Sequence, residues 1–277
     1  MESDWPIQMI ATDLDGTFVN DQKTIPHLNR LAIQEAARRS IPFIFATGRP
    51  LRWIKELDLP SEGHAHAVVA NGGAIADLHR GRIVHHYPIE PEAIVEFTSR
   101  LSSHLPSVTY AVEYLETWGA DKNFPYHLDI STPDYTDSIN ELVSYGPIIK
   151  LVVRDNEHDT EQLAQVVFEL ADERINPTFS FISPIGMIEI SAAGVSKASA
   201  LRLLLDEYQV SPEGLVAFGD MPNDLEMLHL AGRGYTLTKA HEIVHKAGFP
   251  CIGDNNDGAV GRTLLDLWKI DSSEDKH

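Results

Sequence analysis

Residues Asp13-Leu14-Asp15-Gly16-Thr17 place two carboxylates two positions apart, directly after the apolar run Ile7-Gln8-Met9-Ile10-Ala11-Thr12. Side chains two apart share a face of an extended strand, and Gly16 ends the extension because it accepts backbone angles that other residues avoid. The pattern is a buried strand that delivers two acids into a tight loop at its carboxyl end. In an open α/β sheet that edge is where ligands bind. Three further apolar runs also end in residues with chemical use. Pro42-Phe43-Ile44-Phe45-Ala46 leads to Thr47-Gly48-Arg49, Ala67-Val68-Val69-Ala70 to Asn71-Gly72-Gly73, and Leu215-Val216-Ala217-Phe218 to Gly219-Asp220. In a parallel sheet all four ends share one edge, so Asp13, Thr47, Asn71 and Asp220 converge.

The elements that must position these ends alternate between strand and helix. Thr24 is placed to cap a helix running to about Arg39, with Pro26 in its first turn and Leu28, Leu31, Ala32 and Ala36 as the buried stripe. The alternation resumes late in the chain. A helix over 196–208 turns Ala200, Leu201, Leu204 and Leu205 inward, and after the Asp220 strand come a helix over 223–230, a short strand near Tyr235 and a last helix over 258–269. This order predicts an α/β fold, a Rossmann-like parallel-sheet core with helices on both faces, over residues 1–88 and 189–277. Residues 89–188 read as an inserted α+β domain, with strands over 108–112, 148–153 and 178–182, helices over 91–104 and 159–171, and a long loop over 117–138.

Lys and Arg number 22 against 41 Asp and Glu, a net charge of −19. That excess argues against nucleic acid and anionic membrane as partners, since both need basic patches. A small anionic substrate stays open, because one bound cation inverts the local sign. With 43% apolar and 23% charged residues the composition is that of an ordinary globular protein. Cys251 is the single cysteine, so an intramolecular disulfide is excluded and a reducing compartment is expected. No run approaches the ~18 apolar residues of a membrane span, and Met1-Glu2-Ser3-Asp4-Trp5 has no signal-peptide character. The expected location is cytoplasmic.

Taken singly, Asp13 and Asp15 could make an Asx turn, and Asp220 could precede a helix as a favourable charge at its start. Taken together, Asp13-Leu14-Asp15-Gly16-Thr17, Thr47-Gly48-Arg49, Lys197 and Gly219-Asp220-Met221-Pro222-Asn223-Asp224 resemble the four motifs of the haloacid dehalogenase (HAD) superfamily. Asn71-Gly72-Gly73 and the insertion between the second and third motifs resemble its Cof-type sugar-phosphatase branch. The resemblance implies a Mg²⁺-dependent phosphatase of small phosphorylated metabolites, with 89–188 as a C2-type cap that selects the substrate. It implies that Asp13 is the nucleophile, forming an aspartyl-phosphate, and that Asp15 carries the proton. Asp13, Asp220 and the backbone carbonyl of Asp15 would hold Mg²⁺, with Asn223 and Asp224 orienting waters or Asp220 from behind. Thr47 and Lys197 would hold the phosphoryl oxygens, and Gly48, Arg49, Asn71 and Gly72 would contact substrate.

Lys150, in an apolar strand, is a rival to Lys197 as the anchor, and Glu113, Tyr114, His127 and Arg154 are candidates for the pocket wall. Where relatives carry an Asn-Ala pair after the last motif, this chain has Thr238-Lys239-Ala240, so Lys239 either brings a cation to the site or points to solvent. Two alternatives remain: a phosphomutase with the same nucleophile, and a non-enzymatic aspartyl phospho-acceptor regulator. The expected partner is a small-molecule phosphate ester, and both monomer and homodimer are open.

Overall fold

A computed structural model describes residues 6–54, 57, 66–125 and 132–270. The chain begins with β1 (Met9–Thr12), α1 (His27–Arg38), β2 (Phe43–Ala46), a short α2 (Leu51–Ile54) and β3 (His66–Val69). A hairpin of β4 (Ala74–Asp77) and β5 (Arg82–His86) follows. The next segment holds α3 (Pro91–His104), β6 (Thr109–Glu113), β7 (Trp118–Ala120), β8 (Tyr135–Thr136), α4 (Ile139–Leu142), β9 (Lys150–Asp155), α5 (Thr160–Leu170), β10 (Ile175–Thr178) and β11 (Gly186–Ala192). The chain ends with α6 (Lys197–Glu207), β12 (Leu215–Phe218), α7 (Leu225–Leu230), β13 (Arg233–Tyr235), α8 (Glu242–Lys246) and α9 (Ala259–Leu267).

The first sheet has the order β13-β12-β1-β2-β3-β4-β5, with β13 through β3 parallel and the β4–β5 hairpin antiparallel at one edge. Its central strands are buried on both faces, which is why they read as continuous apolar runs. Alternate residues feed two cores. Ile10, Phe43, Phe45, Val216 and Phe218 pack with Ala32, Ile33 and Ala36 of α1 and Val260 and Leu264 of α9. Met9, Ala11, Ile44, Leu215 and Ala217 pack with Leu201, Leu204 and Leu205 of α6 and Met227 and Leu228 of α7. Helices thus cover both faces of the sheet.

The second sheet has the order β10-β11-β9-β6-β7-β8 and is antiparallel except between β7 and β8. One face packs Tyr110, Val112, Leu151, Val153, Ile188 and Ile190 against α3 and α5. The alternating residues of the same strands turn toward the first sheet's loops, among them Glu113, Lys150, Val152, Arg154, Met187 and Glu189.

Several local expectations differ from the structure. Helix α1 starts at His27 with Pro26 before it, because Thr24 is engaged in a turn with Asn20. Its buried stripe is Asn29, Ala32, Ile33 and Ala36, rotated away from Leu28 and Leu31. The rotation lets the Asn29 side chain donate to Phe18 O and accept from Gly261 N, joining the acidic loop to α9. The expected strand over 178–182 is displaced to Ile175–Thr178, and Phe181 and Ile182 are exposed. The stretch 117–138 is not all loop, since it carries β7 and β8. The second sheet also runs on through Ala192, beyond residue 188.

Candidate active site

The carboxyl ends of β1, β2, β3 and β12 meet at one edge, held by main-chain bonds that prolong the ladder. Asp13 N donates to Phe218 O (2.9 Å), Thr47 N to Val68 O (2.8 Å) and Asn71 N to Thr47 O (3.0 Å). Above this edge the pocket-facing side of the second sheet encloses a cavity of about 620 Å³. Asp13, Asp15, Thr47, Gly48, Arg49 and Asn223 line it from below, and Glu113, Lys150, Arg154 and Glu189 from above.

Lys197 is the first residue of α6, whose start is set by a reciprocal cap between Ser196 and Ser199. The lysine is buried, and its Nζ donates to Asp13 Oδ1 and Asp224 Oδ1, both at 2.6 Å. Asp224 Oδ2 accepts from the backbone N–H of Asp220 and of Met221, each at 3.0 Å. Asp220 Oδ1 accepts from Thr17 Oγ1 at 2.6 Å. Asp13, Asp220 and Asp224 each bring a carboxylate oxygen within 4.8 Å of the others. Three carboxylates against one ammonium leave two negative charges uncompensated in a buried place.

That crowding is visible in the acidities. Burial pushes the Asp13 carboxyl well above the usual carboxylate range, and the negative charges of Asp224 and Asp220 add to the rise while Lys197 opposes it. Burial and then the charge of Asp224 raise Asp220 to about 7. A divalent cation suits this donor set: hard oxygen ligands, and a charge deficit of the matching size. Asp224 is the least available of the three, since each of its oxygens is already bonded to the protein.

Asp15 lies apart from this triad. Arg49 grips it with a fork, Nε to Oδ2 at 2.6 Å and Nη2 to Oδ1 at 2.7 Å, and Lys23 Nζ adds a third bond at 2.6 Å. Burial alone would raise its pKa, but the Arg49 bonds and charge, then those of Lys23, override this and hold Asp15 below the usual carboxylate range. The Arg49 guanidinium therefore rests on Asp15, and the Arg49 backbone N–H donates to Thr47 Oγ1 at 3.1 Å.

Asn71 and Gly72, expected to contact substrate, are not among the residues that line the cavity. Asn71, at φ +56°, donates to Glu189 Oε2 (3.1 Å) and accepts from Asn223 Nδ2 (3.0 Å), tying the two sheets together. Gly72, at φ +101°, packs on the main chain of Ser196, where a Cβ would sit 2.2 Å from the carbonyl oxygen. It supports the start of α6 from behind. Lys150 does not compete with Lys197; its Nζ donates to Gly48 O (2.8 Å) and Glu189 Oε1 (2.7 Å). Lys239 is half-exposed and pairs with Asp21 and Asp254, so it points to solvent. Tyr114 belongs to the core of the second sheet, donating to Leu142 O, and His127 lies outside the described residues.

Sequence reasoning passed over Thr17, Lys23, Arg52 and Glu189. Strand alternation in Met187-Ile188-Glu189-Ile190 could have found Glu189, since Ile188 and Ile190 mark the core face. Nothing local marks Arg52, which reaches Glu113 Oε1 at 2.5 Å and stacks over Trp53 and Trp118.

Comparison with known proteins agrees with this architecture. The haloacid dehalogenase-like hydrolase family matches residues 10–264. The chain belongs to that family and is a hydrolase of its type. Among curated relatives, it is 26% identical over 261 residues to YcsE of Bacillus subtilis (strain 168), covering 94% of this chain and 96% of the relative. It is 25% identical over 278 residues to YitU of the same organism, covering 95% and 98%. Both are named 5-amino-6-(5-phospho-D-ribitylamino)uracil phosphatases. Among solved structures, SMU.1108c from Streptococcus mutans UA159 has a TM-score of 0.82 at 24% identity, covering 95% of this chain and 99% of that one. The phosphatase BT1666 from Bacteroides thetaiotaomicron has a TM-score of 0.81 at 20% identity, covering 98% of each.

Proposed function

We propose that this chain is a Mg²⁺-dependent phosphatase that hydrolyses small phosphorylated metabolites through an aspartyl-phosphate on Asp13. The observation that carries the proposal is the position of Asp13: it lines the cavity while Lys197 fixes only one of its carboxylate oxygens. The family membership and the names of YcsE and YitU support a small phosphomonoester as substrate. The 89–188 segment serves as the cap over the core, and the location is cytoplasmic.

Asp13 and Asp220, with the backbone carbonyl of Asp15, are the residues to hold Mg²⁺, which when bound offsets the charge of the phosphate and of the carboxylates. Asp13 attacks phosphorus; an oxygen–phosphorus bond forms and the ester oxygen–phosphorus bond breaks. Asp15, ionised while Arg49 holds it, takes up a proton from solvent once the substrate phosphate draws Arg49 away. It gives that proton to the leaving alkoxide and afterwards takes one from the water that hydrolyses the acyl phosphate. Lys197 and Thr47 stabilise the phosphoryl oxygens as charge develops. Arg49 shields the ionised Asp15 in the resting site, and an incoming phosphate dianion competes for the same fork of donors. Asn223 and Asp224 keep Asp220 and its loop in place.

The expected result is Mg²⁺-dependent release of phosphate from simple esters, lost on chelation and abolished in Asp13→Asn. Undiminished turnover in that variant would remove Asp13 as nucleophile. Isomerised product from a hexose 1-phosphate, without free phosphate, would make the enzyme a mutase instead.

A further inference from the structure

Among the cations of this cavity, the proposed reaction uses none of Lys23, Arg52, Lys150 and Arg154. The first three are paired with Asp15, Glu113 and Glu189; Arg154 is the one that stands out. It is only 5% exposed, yet among the described residues no carboxylate pairs with it, and its Nε is buried with no hydrogen-bond partner. Burial is the one influence on its acidity, and it pulls the guanidinium down. A buried guanidinium left without an acceptor is costly, so an unpaired one facing a cavity is placed for a ligand's oxygens.

Its distance from the reacting end follows from strand geometry. Lys150, Val152 and Arg154 share one face of β9. Lys150 bonds Gly48 O beside Thr47 and so marks the phosphate end. Four residue steps along the strand separate it from Arg154, roughly 13 Å at about 3.3 Å per step. The wall between is apolar and aromatic, formed by Ala111, Val152, Trp118 and Phe124. Met187 lies opposite Arg154 in the ladder.

We infer that Arg154 is a specificity-determining residue that binds an oxygen acceptor at the far end of the leaving group. The preferred substrate is then an elongated phosphomonoester whose distal end carries carbonyl or carboxylate oxygens beyond a flat or apolar stretch. This rests on the phosphatase reading, and it adds the chemical class of the leaving group.

The test compares three esters on the wild-type chain and on Arg154→Met and Arg154→Lys. Ribitol 5-phosphate has no distal acceptor. 5-Amino-6-(5-phospho-D-ribitylamino)uracil adds ring carbonyls, and N-(5-phospho-D-ribityl)-4-aminobenzoate ends in a carboxylate beyond a flat ring. The wild type should prefer at least one acceptor-bearing ester. Arg154→Met should raise KM for that ester roughly ten- to hundred-fold, as expected for loss of a charged hydrogen bond. Its kcat should stay close to that of the wild type, ribitol 5-phosphate should be unaffected, and Arg154→Lys should recover part of the loss. The ester that responds identifies the acceptor as carbonyl or carboxylate. An equal loss on all three esters would mean that Arg154 only supports the fold. No preference in the wild type, or an unchanged KM in Arg154→Met, would overturn the inference. Failure of the wild type to release phosphate from any ester would instead overturn the phosphatase reading.

Discussion

At the scale of single residues the site is a problem of charge balance, and Lys197 is its counterweight. The ammonium is enclosed between Asp13 and Asp224, with Asp220 beside them. Replacing it by Met keeps the bulk and leaves three carboxylates buried together. Removing one partner of a buried ion pair typically costs about 3–5 kcal/mol. A cation at the same place opposes that penalty, because a ligand that binds the folded state at 100 times its Kd contributes about 2.7 kcal/mol. Lys197→Met should therefore unfold at a markedly lower temperature than wild type without metal, and Mg²⁺ should raise its Tm by more than it raises that of wild type. Thermal unfolding of both proteins, with and without Mg²⁺, reads this directly. An equal or smaller Mg²⁺ shift in the variant would show that the acids are not balanced in this way.

At the scale of elements, what was legible in the sequence depends on how each strand is buried. Strands β1, β2, β3 and β12 are covered on both faces, so each is a short apolar run, and a polar residue after it marks the sheet edge. Asp13, Thr47, Asn71 and Asp220 could be grouped for that reason alone. Strand β8 is two exposed residues, held by pairing with β7 rather than by any pattern of its own. Thr178-Phe179-Ser180-Phe181 alternates like a strand, but Phe179 is buried while Phe181 lines the cavity, so the alternation belongs to a loop at the pocket. The links between side chains were less legible than the strand ends, since the fork of Arg49 on Asp15 joins residues 34 positions apart. Gly72 shows how one element sets another. At φ +101° a side chain is strained, and a Cβ would collide with the Ser196 carbonyl that begins α6. Gly72→Ala should lose about 1–3 kcal/mol from the backbone alone, and should lower kcat because Lys197 shifts with the helix. Gly81, at φ +63° and with open space within 4 Å of where a Cβ would stand, provides the contrast. Gly81→Ala should carry the backbone cost and leave kcat unchanged; equal kcat in the two variants would separate Gly72 from the positioning of Lys197.

At the scale of the whole molecule, the cavity is charged differently from the surface around it. The chain holds 22 basic against 41 acidic side chains, whereas the cavity is lined by Lys23, Lys150, Arg49, Arg52 and Arg154 against Asp13, Asp15, Glu113 and Glu189. An anionic ester thus approaches through a repulsive field and arrives in a pocket where the signs nearly balance before any cation is added. These two influences respond differently to salt. An exposed charge is felt to about 30 Å at 0.01 M ionic strength but only to about 8 Å at 0.15 M, and this screening weakens distant exposed charges far more than buried contacts. Added salt should therefore remove repulsion and leave the contacts of the bound ester largely intact. With Mg²⁺ held saturating, kcat/KM for a dianionic ester should rise roughly two- to fivefold between those ionic strengths while kcat stays constant. A neutral inert salt series at fixed pH measures both. A steady fall in kcat/KM would mean that the cations of the cavity, rather than the acidic surface, govern the approach of substrate.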